Sequence, residues 1–167
     1  HSQRNGNPLD GALLYNDSEG TMLATKDALL ATGLFNTLSV INTGQVTPSL
    51  DELSAFETVL VWQNYGLLSQ DGLGDVLADY VDNGGGLVMS MFSQATGPWQ
   101  VTGRFLTEGY FLMTPGGYNQ TTPEINIIEN EHPIFNGVEG LYNPGGSFSL
   151  TNTCLLYTSD AADECDS

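Results

Sequence analysis

The stretch GGGLVMSMFSQ, Gly84 to Gln94, has the order of parts that seats a nucleophile in many α/β enzymes: a glycine-rich turn, an apolar strand, then a bend. The groups on the bend are Ser90, Met91 and Ser93. A thioether is neither a general base nor an acyl acceptor at neutral pH, and a serine hydroxyl is activated only by a base within hydrogen-bond reach. The imidazoles on offer are His1 and His132. His1 opens the chain, while His132 precedes Pro133, which pushes its backbone to an extended conformation in a turn. His132 reads as a base for Ser93 or a metal ligand, or else as a turn residue hydrogen-bonded to Glu129 or Glu131, and the second reading is preferred.

A second group of polar residues follows an apolar strand in WQNYG, Trp62 to Gly66. Its amide and aromatic groups suit a sugar or another neutral polar ligand; the plainer reading makes Trp62 core and Asn64 a turn cap. The loop NDSEG, beginning at Asn16 and Asp17, carries hard oxygen ligands of the type calcium takes but lacks the spacing of a calcium loop. Helix capping by Asp17 or Ser18 is the simpler role. Trp99, Arg104 and Tyr110 lie beyond the bend and would complete a cleft. The candidate ligand-binding residues are therefore Asn16, Asp17, Gln63, Asn64 and Tyr65, with Ser90, Met91, Ser93, Arg104 and His132 from the second half. No catalytic residue, metal or cofactor is assigned.

Two glycine-rich pieces look like phosphate sites and are read otherwise. A phosphate loop needs its glycines after a strand and before a helix, where amide groups converge on the anion. Gly84 to Gly86 come after a helix and before a strand, so they stop the one and admit the other. DGLGDVLADY has a Gly-x-Gly at a helix start, but Asp71, Asp75 and Asp79 would repel a phosphate.

These groups must be positioned by alternating strands and helices. GALLY (Gly11 to Tyr15), LSVIN (Leu38 to Asn42), TVLVW (Thr58 to Trp62) and LVMSM after NGGG are apolar strands. TVLVW is apolar throughout, as a strand covered by helices on both faces would be. Between them, TMLATKDALLATG predicts a helix from Thr21 ended by Gly33, and Ser49 with Glu52 predicts a capping box. Leu73, Val76, Leu77, Tyr80 and Val81 fall at helical spacing. Alternation of this kind implies an α/β fold with a parallel sheet. GRFLTEGYFLM, EINIIEN and SFSL read as strands added at the sheet edge.

The chain has 167 residues, enough for one domain, and a formal net charge of -17 carried against only three basic residues. Arg4, Lys26 and Arg104 cannot neutralise a nucleic-acid backbone or an anionic membrane surface, so nucleic acid is excluded as a partner. No apolar run is long enough to span a membrane, which predicts no membrane insertion.

The order strand, helix, FETVLVWQNYG, acidic helix, VDNGGGLV and EHPIFNGV resembles the ThuA-like group of class I glutamine amidotransferase-like domains, over roughly Leu9 to Val138. The resemblance implies a flavodoxin-like three-layer α/β sandwich with functional groups near the carboxyl ends of the central strands. It also implies that the bend after LVMSM is where amidotransferases carry a catalytic Cys and ThuA-like proteins often a His. Met91 stands there. The expected function is a non-catalytic binding or structural module of a larger, exported bacterial protein, extracellular or periplasmic, whose partners are carbohydrate or neighbouring domains of the same chain. The alternative is a carbohydrate-processing or hydrolytic ThuA-like enzyme using Ser93 or a water activated by His132.

The tail CLLYTSDAADE, Cys154 to Glu164, resembles a translated sequencing adapter. On that reading residues 1–8 are a disordered fragment start, 9–153 the α/β domain, truncated at its end, and 154–167 a non-native tail. The four carboxylates Asp160, Asp163, Glu164 and Asp166 and both cysteines would leave with it, removing disulfide and thiolate chemistry.

Overall fold

A computed structural model describes residues 7–121 and 147–150. The chain alternates β1 (Leu9–Asn16), α1 (Glu19–Ala31), β2 (Phe35–Asn42), α2 (Leu50–Leu53), β3 (Thr58–Gln63), α3 (Gln70–Asp82) and β4 (Gly86–Met89). The four strands form one sheet in the order β2-β1-β3-β4, every pair parallel. Crossovers between parallel strands are right-handed. A chain that steps from β1 outward to β2, and then to β3 and β4 on the other side, therefore lays α1 on one face and α2 and α3 on the other. This is the flavodoxin-like α/β sandwich that was expected.

Local sequence explains where the helices begin and end. Ser18 caps α1 by accepting the Thr21 N–H at 3.1 Å, so the helix starts two residues before Thr21, and Gly33 (φ 70°) ends it in the left-handed region. Ser49 and Glu52 form the reciprocal capping box on α2. On α3, Ser69 accepts the Gly72 N–H, and Gly84 (φ 88°) turns the chain out of the helix toward β4.

The two faces of the sheet are unequally covered. Ala12 and Leu14 of β1 and Val59 and Val61 of β3 pack with Leu53 of α2 and Leu73, Leu77, Ala78 and Tyr80 of α3 in one buried core. Burial of each large aliphatic side chain there is worth roughly 1.5–3 kcal/mol. The alternate residues Leu13, Leu60 and Val88 face the other way, beside Leu29 of α1 and Phe35 and Leu38 of β2. Val59 and Val61 are fully buried, whereas Val88 is 60% exposed. TVLVW is thus sealed on one face and only half covered on the other, because α1 lies over the β1–β2 side.

Beyond β4 the expected strands need correction. GRFLTEGYFLM begins with a short helix, α4 (Gly103–Thr107), not a strand. Its first backbone N–H groups are taken by α3: Gly103 N–H donates to Asp71 at 2.9 Å and Arg104 N–H to Asp75 at 2.8 Å, while Phe105 enters the core. SFSL is a strand, β6 (Ser147–Leu150), but it pairs antiparallel with β5 (Tyr118–Thr121) in a separate two-stranded sheet. Among the described residues neither strand is hydrogen-bonded to the edge of the parallel sheet. EINIIEN, His132 and residues 154–167 lie outside the described residues. No helix among the described residues is long and apolar enough to cross a membrane.

Candidate functional site

In an open parallel sheet the ligand crevice lies at the carboxyl ends of neighbouring strands whose connections leave in opposite directions. Here that point falls between β1 and β3, where Asn16 and Gln63 are register partners. The Asn16 carbonyl accepts the N–H groups of Asn64 and Tyr65, at 2.9 and 3.1 Å. The Asn16 side-chain amide donates to the Gly66 carbonyl at 2.6 Å. One residue therefore fixes the start of the β3 loop by both its backbone and its side chain. Gly44, after β2, has no Cβ because the Asn16 amide occupies that space.

Asp17 closes the cluster. Its carboxylate accepts the Ser18 N–H at 2.6 Å and the Asn64 side-chain amide at 3.3 Å, tying the first turn of α1 to the β3 loop. Tyr65, 56% exposed, stands at the rim. The structure thus brings together Asn16, Asp17, Gln63, Asn64 and Tyr65. Among the described residues no three acidic, histidine or cysteine side chains converge closely enough to hold a metal ion.

Beneath the crevice the polar groups are buried. The Thr43 hydroxyl lies 3.1 Å from both the Tyr15 carbonyl oxygen and Gln63 Oε1. Gln63 is 2% exposed, and its Nε2 has no hydrogen-bond partner among the described residues; the same is true of the indole N–H groups of Trp62 and Trp99. A buried polar group left unpaired costs about 1–3 kcal/mol. Trp62 and Gln63 end β3, and the loop of Trp99 is stitched to the β3 loop by Leu67 N–H donating to Pro98 O at 2.9 Å. All three orphan groups are donors, and the side chains of Trp62 and Gln63, consecutive in β3, leave opposite faces of the sheet. Thr43 was missed by sequence reasoning; the turn residues Thr43 and Gly44 directly after LSVIN were the available signal.

The bend after β4 is formed as expected, but its hydroxyls face each other. Ser90 N–H continues the ladder to Val61 O at 2.8 Å, and Gln94 and Ala95 N–H then turn back to Met91 O. Ser90 Oγ and Ser93 Oγ are 3.3 Å apart, and Ser93 is fully buried. Among the described residues no imidazole or carboxylate bonds either hydroxyl. Met91, on the same bend, is half-buried.

Arg104 is placed elsewhere. Its guanidinium bonds Glu108 through Nε at 3.0 Å and Nη2 at 2.9 Å, Asp79 through Nη1, and Asp82 at 3.3 Å. Hydrogen bonds to Glu108 first, then to Asp79, raise its pKa above the ordinary arginine value. Tyr110 belongs to the same brace: its hydroxyl donates to Asp82 at 2.7 Å, which raises its pKa. The carboxylates of α3 thus take up both residues, and of the expected trio only the loop of Trp99 adjoins the crevice.

No protein-family model matches the chain, and no curated protein and no solved structure is significantly similar to it.

Proposed function

We propose that this chain is a non-catalytic, ThuA-like binding module of a larger exported protein, and that it holds a neutral, oxygen-rich ligand such as a carbohydrate at the β1–β3 crevice. The observation that carries the reading is the tie between Asp17 and Asn64 at 3.3 Å beside the exposed ring of Tyr65 and the unpaired amide of Gln63. An aromatic face with amide and carboxylate groups at its side matches the alternating apolar and hydroxyl surfaces of a sugar. The formal charge of -17 opposes anionic ligands. The paired serines and Met91 on the bend favour binding over turnover, since an acyl-transfer nucleophile needs a base beside it.

Calorimetric titration with a panel of neutral oligosaccharides tests this. Saturable binding that weakens about tenfold or more in Tyr65→Ala and Asn64→Ala, at unchanged melting temperature, is the expected result. Binding untouched by both variants, or none across the panel, overturns the site. Turnover of ester or glycoside substrates that disappears in Ser93→Ala overturns the non-catalytic reading.

A further inference from the structure

Helix α4 is five residues long, and its N-cap residue, Thr102, makes no side-chain cap bond to it. A helix of little more than one turn does not hold itself in water, so α3 must hold it. Thr102 N–H donates to Gln70 O at 3.2 Å, Gly103 N–H to Asp71 at 2.9 Å and Arg104 N–H to Asp75 at 2.8 Å. The Arg104 guanidinium then reaches Asp79 and Asp82, and the Tyr110 hydroxyl donates to Asp82 at 2.7 Å. Asp71, Asp75, Asp79 and Asp82 recur at three- and four-residue steps, so they make one row of carboxylates along α3.

Like charges in such a row repel, and Glu108 brings a further carboxylate to it. Arg104 is the cation that answers them, pairing with Asp79, Asp82 and Glu108. Between 36 and 50% of each of these side chains is open to solvent, so the pairs are individually weak and screened by salt. Phe105 is the buried side chain of α4, stacked on Tyr110 at a centroid distance of 5.3 Å. The sheet and α3, by contrast, are joined by Leu14, Val59, Val61, Leu73 and Leu77, apolar contacts that do not depend on charge. We infer that Thr102 to Tyr110 is a charge-held strap, which opens from α3 as one unit while the parallel sheet stays folded, with the charge of Arg104 setting how often it opens. Cooperative local opening of this kind needs few apolar contacts and many exposed polar ones, as here. Phe105 shares a cavity wall with Leu87 and Met89 of β4, so opening uncovers that apolar side of the sheet edge.

Hydrogen exchange of the whole chain, followed by NMR, tests this. The bonded amides of Gly103, Arg104, Glu108 and Tyr110 are expected to share one protection factor, lower than that of the β3 amides, which are bonded between β1 and β4. Raising the ionic strength from about 0.05 to about 0.5 M is expected to lower those four and leave β3 unmoved. Arg104→Gln leaves Glu108 facing Asp79 and Asp82 without a cation, and lowers the four by about tenfold, the combined worth of several exposed pairs. In an Asp79→Asn background the same change costs less, because one facing carboxylate is gone; a purely structural role for the arginine stem would show no such coupling. If Arg104→Gln does not fold, the salt series on the wild type decides alone. Protection at the four amides equal to that of β3, no response to salt, or a loss in Arg104→Gln that falls equally on β3 overturns the inference.

Discussion

Asn16 holds Gly66 from across the sheet: its side-chain amide donates to the Gly66 carbonyl at 2.6 Å while its own carbonyl accepts two N–H groups of the same loop. A part-buried clamp of this kind stabilises both the sheet end and the crevice. Asn16→Ala leaves the Gly66 carbonyl unpaired and is expected to cost about 1–2 kcal/mol. A lower urea midpoint with an unchanged slope would show it, together with weaker ligand binding. Retained affinity in the folded variant would mean that the β3 loop keeps its shape without the clamp.

The contact between Asn64 and Asp17 gives an electrostatic test of the same crevice. Asn64→Asp replaces an amide donor by a second carboxylate 3.3 Å from the first, and like charges at that range repel. Ligand affinity at pH 7 is expected to fall, with part of the loss recovered on acidification as one carboxyl takes up a proton. A pH-independent loss would assign the effect to the missing donor alone.

Much of this site was legible because it depends on residues close in sequence to strand ends. NDSEG and WQNYG follow apolar runs, and parallel pairing of those runs in register must bring the two loops together. The brace around Arg104 was not legible. Its partners Asp79 and Asp82 lie more than twenty residues away on another helix, and no local pattern announces a contact of that separation. GRFLT was misread for a related reason: α4 is only five residues long, and its first N–H groups are capped by Asp71 and Asp75 of α3, not by a neighbour. Its aromatic residues fit a strand equally well until that tertiary contact is known.

Those long-range caps have a pH signature. The Thr102 hydroxyl, and then the Gly103 N–H, hold the Asp71 carboxyl below the usual aspartate range. The Asp10 carboxyl is lowered by the Thr37 hydroxyl and the Asn36 amide, and that of Glu52 by the Ser49 backbone N–H. A carboxyl whose folded pKa is depressed contributes stability that is fully present above its unfolded value, near pH 4, and is lost as the pH falls through the folded value. Protonation of the many other carboxylates relieves repulsion in this acidic chain and works in the opposite direction. The difference between wild type and Asp71→Asn isolates the cap: it is expected to be constant from pH 7 to about 5 and to shrink below pH 4. Urea midpoints across that range measure it, and a difference that persists at pH 3 would remove the carboxylate from the account.

At the alkaline end, burial and then the nearby Glu57 charge raise the Tyr80 phenol pKa, and its hydroxyl donates to Phe56 O at 2.9 Å. The folded state therefore favours the protonated phenol. This stability is complete below the unfolded value near 10 and is lost as the pH rises through the higher folded value. Tyr80→Phe keeps the ring but drops the bond, so its deficit relative to wild type is expected at pH 7 and to diminish above pH 10. A deficit independent of pH would place the effect in packing.

Two helical glycines carry opposite predictions from the same substitution. At Gly20, in the first turn of α1, an added methyl would meet only Ser18 Oγ at 4.0 Å. Gly20→Ala therefore gains helix propensity without a clash and is expected to stabilise by about 0.5–1 kcal/mol. Gly74 of α3 is buried against the backbone that enters α4: a methyl there would overlap the Thr102 carbonyl oxygen and approach its carbon to 2.7 Å. Backbone cannot yield as a flexible side chain can, so Gly74→Ala is expected to destabilise by about 2–3 kcal/mol or to expel α4 from α3. Amide NMR shifts separate the two losses: a destabilised but intact contact keeps the Gly103 and Arg104 N–H resonances, bonded to Asp71 and Asp75, near their wild-type positions, and a displaced α4 does not. Equal and small effects at both positions would show that α3 and α4 are not packed this closely.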